Sequence, residues 1–440
     1  MPTSETHPRR PVSLGVIFLT IFIDLLGFTI IFPLFPAILD YYLRVDASSG
    51  GLRWLLSQID AFAQLAGSHH NYREVLFGGI LGSLYALLQF VFSPIWGGYS
   101  DRKGRRHVLL ITVTGTTLSY VLWFFSGSFL LFVVARLVGG AFAGNLSVAT
   151  AAVADVTTRE NRAKGMGVIG VAFGLGFLVG PAIGSIAAFH DLSAGHPRLS
   201  HLGVNPFSLP ALLSFCFSLI NLIWIATRFR ETIDPEHRQA SETVRIRHPL
   251  HDLIAAEAGP ARRTNWLYFI FTLAFSGMEF SLPFLATDRF RYRPTDMAWL
   301  FIFLGVVLIL TQGMIVRRAV PRYGEKIVLL AGLLSVCAGI AIVGLSETKL
   351  VLYIGLGAIG LGAGLTNPSV SALISLYSPP AQQGRMLGIF RSLGALARGF
   401  GPLAACLLYW WKDATWMYLV AAVVVLVPWI MALPLPKPQK

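Results

Sequence analysis

Apolar stretches of about 20 residues or more recur from one end of this 440-residue chain to the other. "LGVIFLTIFIDLLGFTIIFPLFPAI" stands near the start and "MYLVAAVVVLVPWIMALPL" near the finish. At 1.5 Å of helical rise per residue, about 20 residues cross a hydrocarbon core of roughly 30 Å. Inside lipid every backbone N–H and C=O must be paired within the chain, which leaves only helices or a closed barrel. Barrel strands are short and alternate in polarity; these runs do neither. Composition agrees, with 55% of residues hydrophobic and 13% charged, where a soluble chain carries about a quarter charged. The sequence reads as an all-α polytopic membrane protein.

Twelve spans can be drawn, at roughly 13–40, 74–100, 106–126, 128–154, 162–190, 206–228, 265–287, 296–319, 326–346, 350–376, 383–410 and 413–434. The bias of basic residues toward cytoplasmic loops then sets the orientation. With both termini in the cytoplasm, Arg9, Arg10, "DRKGRR", "RENRAK", the 229–264 segment, "RRAVPRYGEK", Arg385 and the terminal lysines lie inside. Of 35 Lys and Arg, nine lie outside, three (Arg136, Arg391 and Arg398) fall within spans, and the rest lie inside. The net charge of +13 is thus a topological signature, and its scatter over short loops excludes a nucleic-acid surface. The basic start runs into an apolar stretch too long for a signal-peptide core, so the first span reads as an uncleaved helix. Cys216, Cys337 and Cys406 all fall within spans and read as small hydrophobes. No cofactor or metal is expected. The chain reads as a monomer in the cell (inner) membrane.

The polar stretch 229–264 divides the chain into a first six-helix bundle over 13–228 and a second over 265–434. The outside loop at 41–73 holds "GGLRWLLSQIDAFAQLAG", whose apolar spacing fits either a short amphipathic helix or a packed loop. The two bundles are parallel repeats. "NRAKGMGVIGVAFGLGFLVGPAIGS" (161–185) aligns with "QQGRMLGIFRSLGALARGFGPLAAC" (382–406) at an offset of 221, placing Gly180-Pro181 on Gly401-Pro402. At 220, Gly104 meets Gly324 and Arg106 meets Lys326; at 222, Asn145 meets Asn367. Such pseudosymmetry suits two bundles that rock around a central site.

The loop after the second span reads Gly97-Gly-Tyr-Ser-Asp101-Arg102-Lys-Gly104-Arg105-Arg106. It resembles the major facilitator superfamily signature G-x-x-x-D-R-x-G-R-R, placed between the second and third helices. The fifth span carries Gly167, Gly176, Gly180, Pro181 and Gly184, similar to that superfamily's antiporter motif, with Ser185 where a second glycine is usual. Glycines so spaced also allow close helix approach, and the proline bends the span. "ALLQFVFSPIWGGYSDRKGRRHVLL" resembles the drug:proton antiporter branch, in particular bacterial tetracycline exporters. "VLFGG", "FSGMEF" and "RSLGALAR…GPL" bring the chain closer to the animal tetracycline-transporter-like family. The resemblance implies twelve helices in two pseudosymmetric bundles and, for the animal relatives, export of organic anions and drugs. It also places the first, fourth, seventh and tenth helices around a central cavity.

Two of the 22 acidic residues lie mid-span, Asp24 and Glu279. All ten histidines lie outside span centres. A carboxyl group in low dielectric is readily protonated, so these two acids are the candidate proton carriers; the alternative for each is a buried ion pair. Asp24 matches an acidic position in the first-helix pattern D-x-x-G-x-x-x-x-x-P-x-x-P of the drug exporters. The third span lacks the acid that tetracycline exporters use there, which weighs against tetracycline itself. Arg136 heads "R-x-x-G-G"; in the superfamily this arginine lines the cavity and takes part in proton coupling, and Asp24 is its expected partner. Asp155 is expected on Arg105, and Asp101 against the start of the eleventh helix, together forming a latch with Gly97, Arg102, Gly104 and Arg106 for the outward-facing state.

Gln89, Asn145, Gln312 and Asn367 are polar positions within spans, either substrate contacts or helix cross-links. Asn145-Leu-Ser147 fits a glycosylation pattern but lies within a span. Phe28, Phe271, Phe275 and Met278 offer an apolar lining or ordinary packing. Arg391 and Arg398 lie seven residues apart on nearly one helix face, about 10 Å along it. A guanidinium stays charged at any ordinary pH, so the deeper Arg398 is the better candidate for an anionic substrate or an acid partner, and Arg391 for a role near the latch. No constellation of nucleophile and base appears within the spans, so no enzyme is expected. The expectation is proton-coupled export of amphipathic organic compounds, with organic anions favoured over cations. A proton symporter or facilitator, and a non-transporting receptor or scaffold on the same fold, remain as alternatives.

Overall fold

In the computed structural model, residues 14–46, 50–66, 73–157, 162–194, 197–233, 259–378 and 383–437 are described, and every regular element among them is helical. Arg9, Arg10, Arg159, most of the 229–264 segment and the side chain of Arg385 lie outside the described residues. The first half comprises α1 (Leu14–Thr29), a 3-10 turn (Phe32–Leu34), α2 (Phe35–Val45), α3 (Gly50–Ala66), α4 (Arg73–Lys103) and α5 (Arg105–Phe124). It continues with α6 (Phe129–Phe142), α7 (Asn145–Val156), α8 (Arg162–Ala187), the short α9 (Pro197–His201) and α10 (Ser208–Arg228). The second half runs α11 (Pro260–Phe290), α12 (Pro294–Leu310), a π turn (Thr311–Val316), α13 (Arg317–Tyr323), α14 (Glu325–Gly344), α15 (Lys349–Tyr377), α16 (Gln383–Trp411) and α17 (Ala414–Ala432). Eleven segments among the described residues are long and apolar enough to cross a membrane. α8, 26 residues long, supplies the twelfth position.

Three spans are less regular than their apolar runs suggest. The first breaks after Thr29 and restarts twice, each time with proline in the first turn of the new helix. There the missing N–H costs nothing, because the first-turn donors have no partner within the helix. The fourth breaks between α6 and α7 at Ala143 and Gly144. A Cβ on Gly144 would stand within 2.6 Å of the Trp96 ring, and the Trp96 indole N–H donates to the Ala141 carbonyl at 2.7 Å, satisfying a group the break frees. The eighth passes through the π turn between α12 and α13. The outside-loop stretch is helical, as α3.

The repeat is visible in side-chain detail. The Thr29 hydroxyl on α1 donates to the Gly176 carbonyl on α8 at 2.9 Å. The Ser276 hydroxyl on α11 donates to the Ala397 carbonyl on α16 at 3.2 Å, and Ala397 stands 221 residues after Gly176. Gly180 faces the Thr29 hydroxyl and Gly401 the Ser276 hydroxyl, each so closely that a Cβ would overlap it. Gly104 and Gly324, with φ of 101° and 81°, make the sharp turns before α5 and α14. Behind them, Arg106 donates to the Ala226 carbonyl on α10 at 2.7 Å. Lys326 donates likewise to the Leu433 and Leu435 carbonyls past α17, at 2.7 and 2.6 Å. Each is a cation placed on carbonyls the helix end leaves open.

The halves meet where α4 packs on α16 and α8 on α12. We call the side bearing the 101–106 loop the basic face, and the side bearing α3 the opposite face.

Candidate functional site

A cavity lies between the halves, with a free volume of about 50 Å³, room for a few waters. Ile21, Asp24, Leu25 and Phe28 of α1 form one wall with Gly82, Tyr85, Ala86 and Gln89 of α4. Ser276, Glu279 and Phe280 of α11 face them, with Arg398 and Pro402 of α16. Leu146 of α7 and Phe32 complete the lining. Its opposite-face end is sealed by a fitted pair of ridges: Phe280 rests on Gly82 and Phe284 on Gly78, so closely that a Cβ at either glycine would overlap the ring. Beside this seal, Gly79 packs against Cys406 on α16 in the same manner.

Two opposed charges share this small space. Glu279 and Arg398 both line the cavity, so a carboxyl group and a guanidinium face one space. Asp24 also lines it and accepts a hydrogen bond from the Asn145 amide, 2.7 Å from Nδ2 to Oδ1. Asn145 is the first residue of α7, so the break in the fourth span is what delivers this amide to the acid. The Asn145 Oδ1 has no hydrogen-bond partner among the described residues.

The expected Asp24–Arg136 ion pair is not formed. Arg136, 5% exposed, lies with its guanidinium carbon 4.6 Å from the Tyr85 ring centre and 5.9 Å from that of Phe35. It is therefore not part of the cavity wall. Three expected substrate contacts also lie elsewhere. Phe275 stacks on Phe271 at 5.5 Å, because Ser276 and Glu279 on the neighbouring face of α11 take the cavity side. Gln312 belongs to the π turn and lies beside Gly174 of α8. Asn367 is exposed on α15, where no break turns it inward as α7 turns Asn145. Met278 is buried behind the cavity, its carbonyl accepting from the Tyr418 hydroxyl. Phe28, Gln89 and Arg398 do face the cavity. Arg391 lies on α16, and its side chain is outside the described residues.

At the basic face, Arg105 is the hub. Its guanidinium meets Asp101 at 2.5 Å, Asp155 at 3.0 Å and the Ser100 hydroxyl at 2.6 Å. Asp101 thus spends its charge within its own half and is 43% exposed, its Arg105 contact replacing the expected approach to the eleventh helix among the described residues. Arg102 is exposed, and Gly97 packs on Ser147. Glu231, just past α10, was missed by sequence reading; its carboxylate accepts from the Arg105 and Arg106 backbone N–H groups at 2.8 and 3.3 Å. It caps the N-terminus of α5 from 126 residues away. Only the acid's position just after the sixth span hinted at this. On α8, Gly176 packs against Leu25 and Gly184 against the Ile30 backbone, with Pro181 inside the helix. Gly167 falls in the same helix, one of the turns nearer the basic face.

Residues 17–322 and 267–440 match the family described as Major Facilitator Superfamily. Major facilitator superfamily domain-containing protein 10 of Bos taurus is 34% identical over 98% of this chain and 97% of its own length. The class E tetracycline resistance protein of Escherichia coli is 26% identical over 90% of this chain and 87% of its own. Among solved structures, the human organic anion transporter MFSD10 (TETRAN) superposes with a TM-score of 0.76 at 32% identity, covering 97% of this chain and 100% of that one. A D-xylose-proton symporter shares the fold, with a TM-score of 0.70 at 17% identity over 97% of this chain and 98% of that one.

Proposed function

This chain belongs to the Major Facilitator Superfamily, a multi-pass membrane transporter and not an enzyme, and we propose that it exports amphipathic organic compounds, organic anions foremost, in exchange for protons. The observation behind this reading is the cavity where Asp24, Glu279 and Arg398 meet aromatic walls. A permanent cation beside a titratable acid offers an anion and a proton alternative uses of one electrostatic site. Aromatic rings suit the apolar part of an amphipathic solute. The human relative is an organic anion transporter by its description, and the bacterial relatives confer tetracycline resistance.

We assign proton coupling to Asp24 and Glu279, with Arg136 acting from behind Tyr85, and substrate contact to Arg398, Gln89 and Phe28. In this assignment the halves rock as bundles over 13–228 and 265–434, and the glycines of α8 are the surface on which α1 moves. The basic face is taken as cytoplasmic, in the cell membrane, with the chain working as a monomer. The seal of Phe280 and Phe284 on the opposite face, together with Asp101 turned to its own half, fits the state that opens toward the basic face. At about 50 Å³ the cavity is smaller than a drug-sized ligand needs, so Phe28 and Phe280 must swing aside for substrate.

The test is flux in liposomes under an imposed pH gradient, with a panel of organic anions and cations. Asp24→Asn and Glu279→Gln should each abolish the response to the gradient, and Arg398→Gln should shift preference from anions to cations. Gradient-driven flux that survives both acid substitutions sinks the proton assignment. Unchanged selectivity in Arg398→Gln sinks the anion assignment.

A further inference from the structure

Rings, not acids, hold Arg136. Its Nε finds no hydrogen-bond partner among the described residues, although the residue is 5% exposed. A carboxyl group shares this neighbourhood: Asp24 lines the same cavity as Tyr85, one helical turn from the Phe28 that stacks on that ring. Opposite charges flank one tyrosine and are not joined. In low dielectric, a hydrogen-bonded ion pair is the stronger arrangement for such groups, so something keeps them apart.

Tyr85 is placed to do so. Arg136 lies 4.6 Å from its ring centre, and Phe28 stacks on it at 4.6 Å with 25° between the planes. Arg136 and Phe28 thus both pack on this one ring. Gly139 and Gly140 on α6 let the tyrosine approach: a Cβ at Gly139 would stand 3.1 Å from the Tyr85 ring, and one at Gly140 2.9 Å from its carbonyl. Phe28 and Tyr85 line the cavity, while Arg136 does not. The ring is a partition between the space a solute enters and the arginine behind it.

We propose that Tyr85 is a positioning residue that parks Arg136 away from Asp24 and, through its stack with Phe28, releases the arginine when a solute enters the cavity. The release step rests on the reading of this cavity as the transport site. The other groups near Asp24 are Tyr120 from α5, whose hydroxyl lies beside Gly27 of α1, Asn145 from α7, and Glu279 and Arg398 across the cavity from α11 and α16. α10 adds the neutral Asn221, which donates to the Thr20 carbonyl, and α8 presents glycines.

The parking is tested without substrate on the full chain in liposomes. Dicyclohexylcarbodiimide reacts with a protonated intramembrane carboxyl, and peptide mass spectrometry reads its addition at Asp24. In Tyr85→Leu the freed guanidinium pairs with the Asp24 carboxylate, so labelling at pH 7 should fall about threefold or more. Tyr85→Phe keeps the ring and should label as the wild type does, and Tyr85→Leu with Arg136→Gln should regain wild-type labelling. Undiminished labelling in Tyr85→Leu, an equal loss in Tyr85→Phe, or a loss that persists without Arg136 overturns the parking. This arm stands even if the transport reading fails.

The release is tested with fluorescein, an aromatic dianion, as the transported probe. Phe28→Leu leaves Arg136 on the ring, so it should keep Asp24 labelling, and its gradient response is read relative to its own fluorescein exchange at equal pH. Its acceleration by an imposed pH gradient should drop about tenfold or more. Full acceleration in Phe28→Leu, or lost labelling there, overturns the release. If Tyr85→Leu does not fold, Tyr85→Met removes the ring at similar volume and is read in the same way.

Discussion

The two halves of this molecule share a backbone plan and differ in what they do with charge. Thr29 and Ser276 hold equivalent places, each donating to its partner helix at positions 221 residues apart. Counted from them, the counterpart of Asp24 is Phe271 and the counterpart of Glu279 is Phe32. The counterpart of Arg398 is Phe177. Each of these three charges answers to a phenylalanine in the other half. The acids are also unequal in depth: relative to the shared anchor, Asp24 lies eight residues nearer the basic face, or about 12 Å along a helix. Asp24 is satisfied by an amide, whereas Glu279 shares the cavity with a guanidinium. The repeat supplies a frame in which helices can slide, and the chemistry comes from breaking it.

This comparison can be broken by experiment. The largest effect is expected at Asp24: Asp24→Asn should cut gradient-driven flux about a hundredfold while equilibrium binding of the probe is kept. Phe271→Leu at the counterpart position should leave the flux nearly unchanged. Equal losses would mean that the position matters and the acid does not. Next comes the basic face, where Arg105 gathers two acids and its counterpart is Glu325. Arg105→Ala should destabilise the protein by about 2–3 kcal/mol, after allowance for the exposure of Asp101. Lys326→Ala, which only frees helix-end carbonyls, should cost about 1 kcal/mol. Thermal melts in detergent would rank the two, and the reverse order would refute the hub.

A smaller effect is expected at the seal. Gly82→Ala pushes a methyl into the Phe280 ring, so alkylation of the buried Cys406 should rise about fivefold. Gly51→Ala, which meets nothing within 4 Å, should leave it unchanged. The smallest contrast separates the equivalent asparagines. Asn145→Ala should lower flux about threefold by stripping Asp24 of its donor, and Asn367→Ala should be neutral. A deficit in Asn367→Ala would restore the symmetry that the helix break removes.

The sequence by itself determined the class, the spans, the repeat and the identity of the mid-membrane charges. Each of these follows from one-dimensional quantities: the length of apolar runs, the count of basic residues per loop, and the offset between like segments. A bilayer punishes unpaired charge so heavily that Asp24, Glu279 and Arg398 stood out without coordinates. Tertiary structure alone decided who meets whom. Asn145 and Asn367 look alike in sequence, yet only the first begins a broken half-helix and reaches an acid. Phe275 and Phe28 look alike, yet only the second faces the cavity. Glu231 caps a helix across 126 residues, and Arg136 rests on a ring in place of the acid expected for it. A side chain's partner depends on helix rotation and on small breaks in the backbone, and a one-residue turn of about 100° moves it from cavity to packing. Hydropathy fixes what must be buried; only packing decides against what.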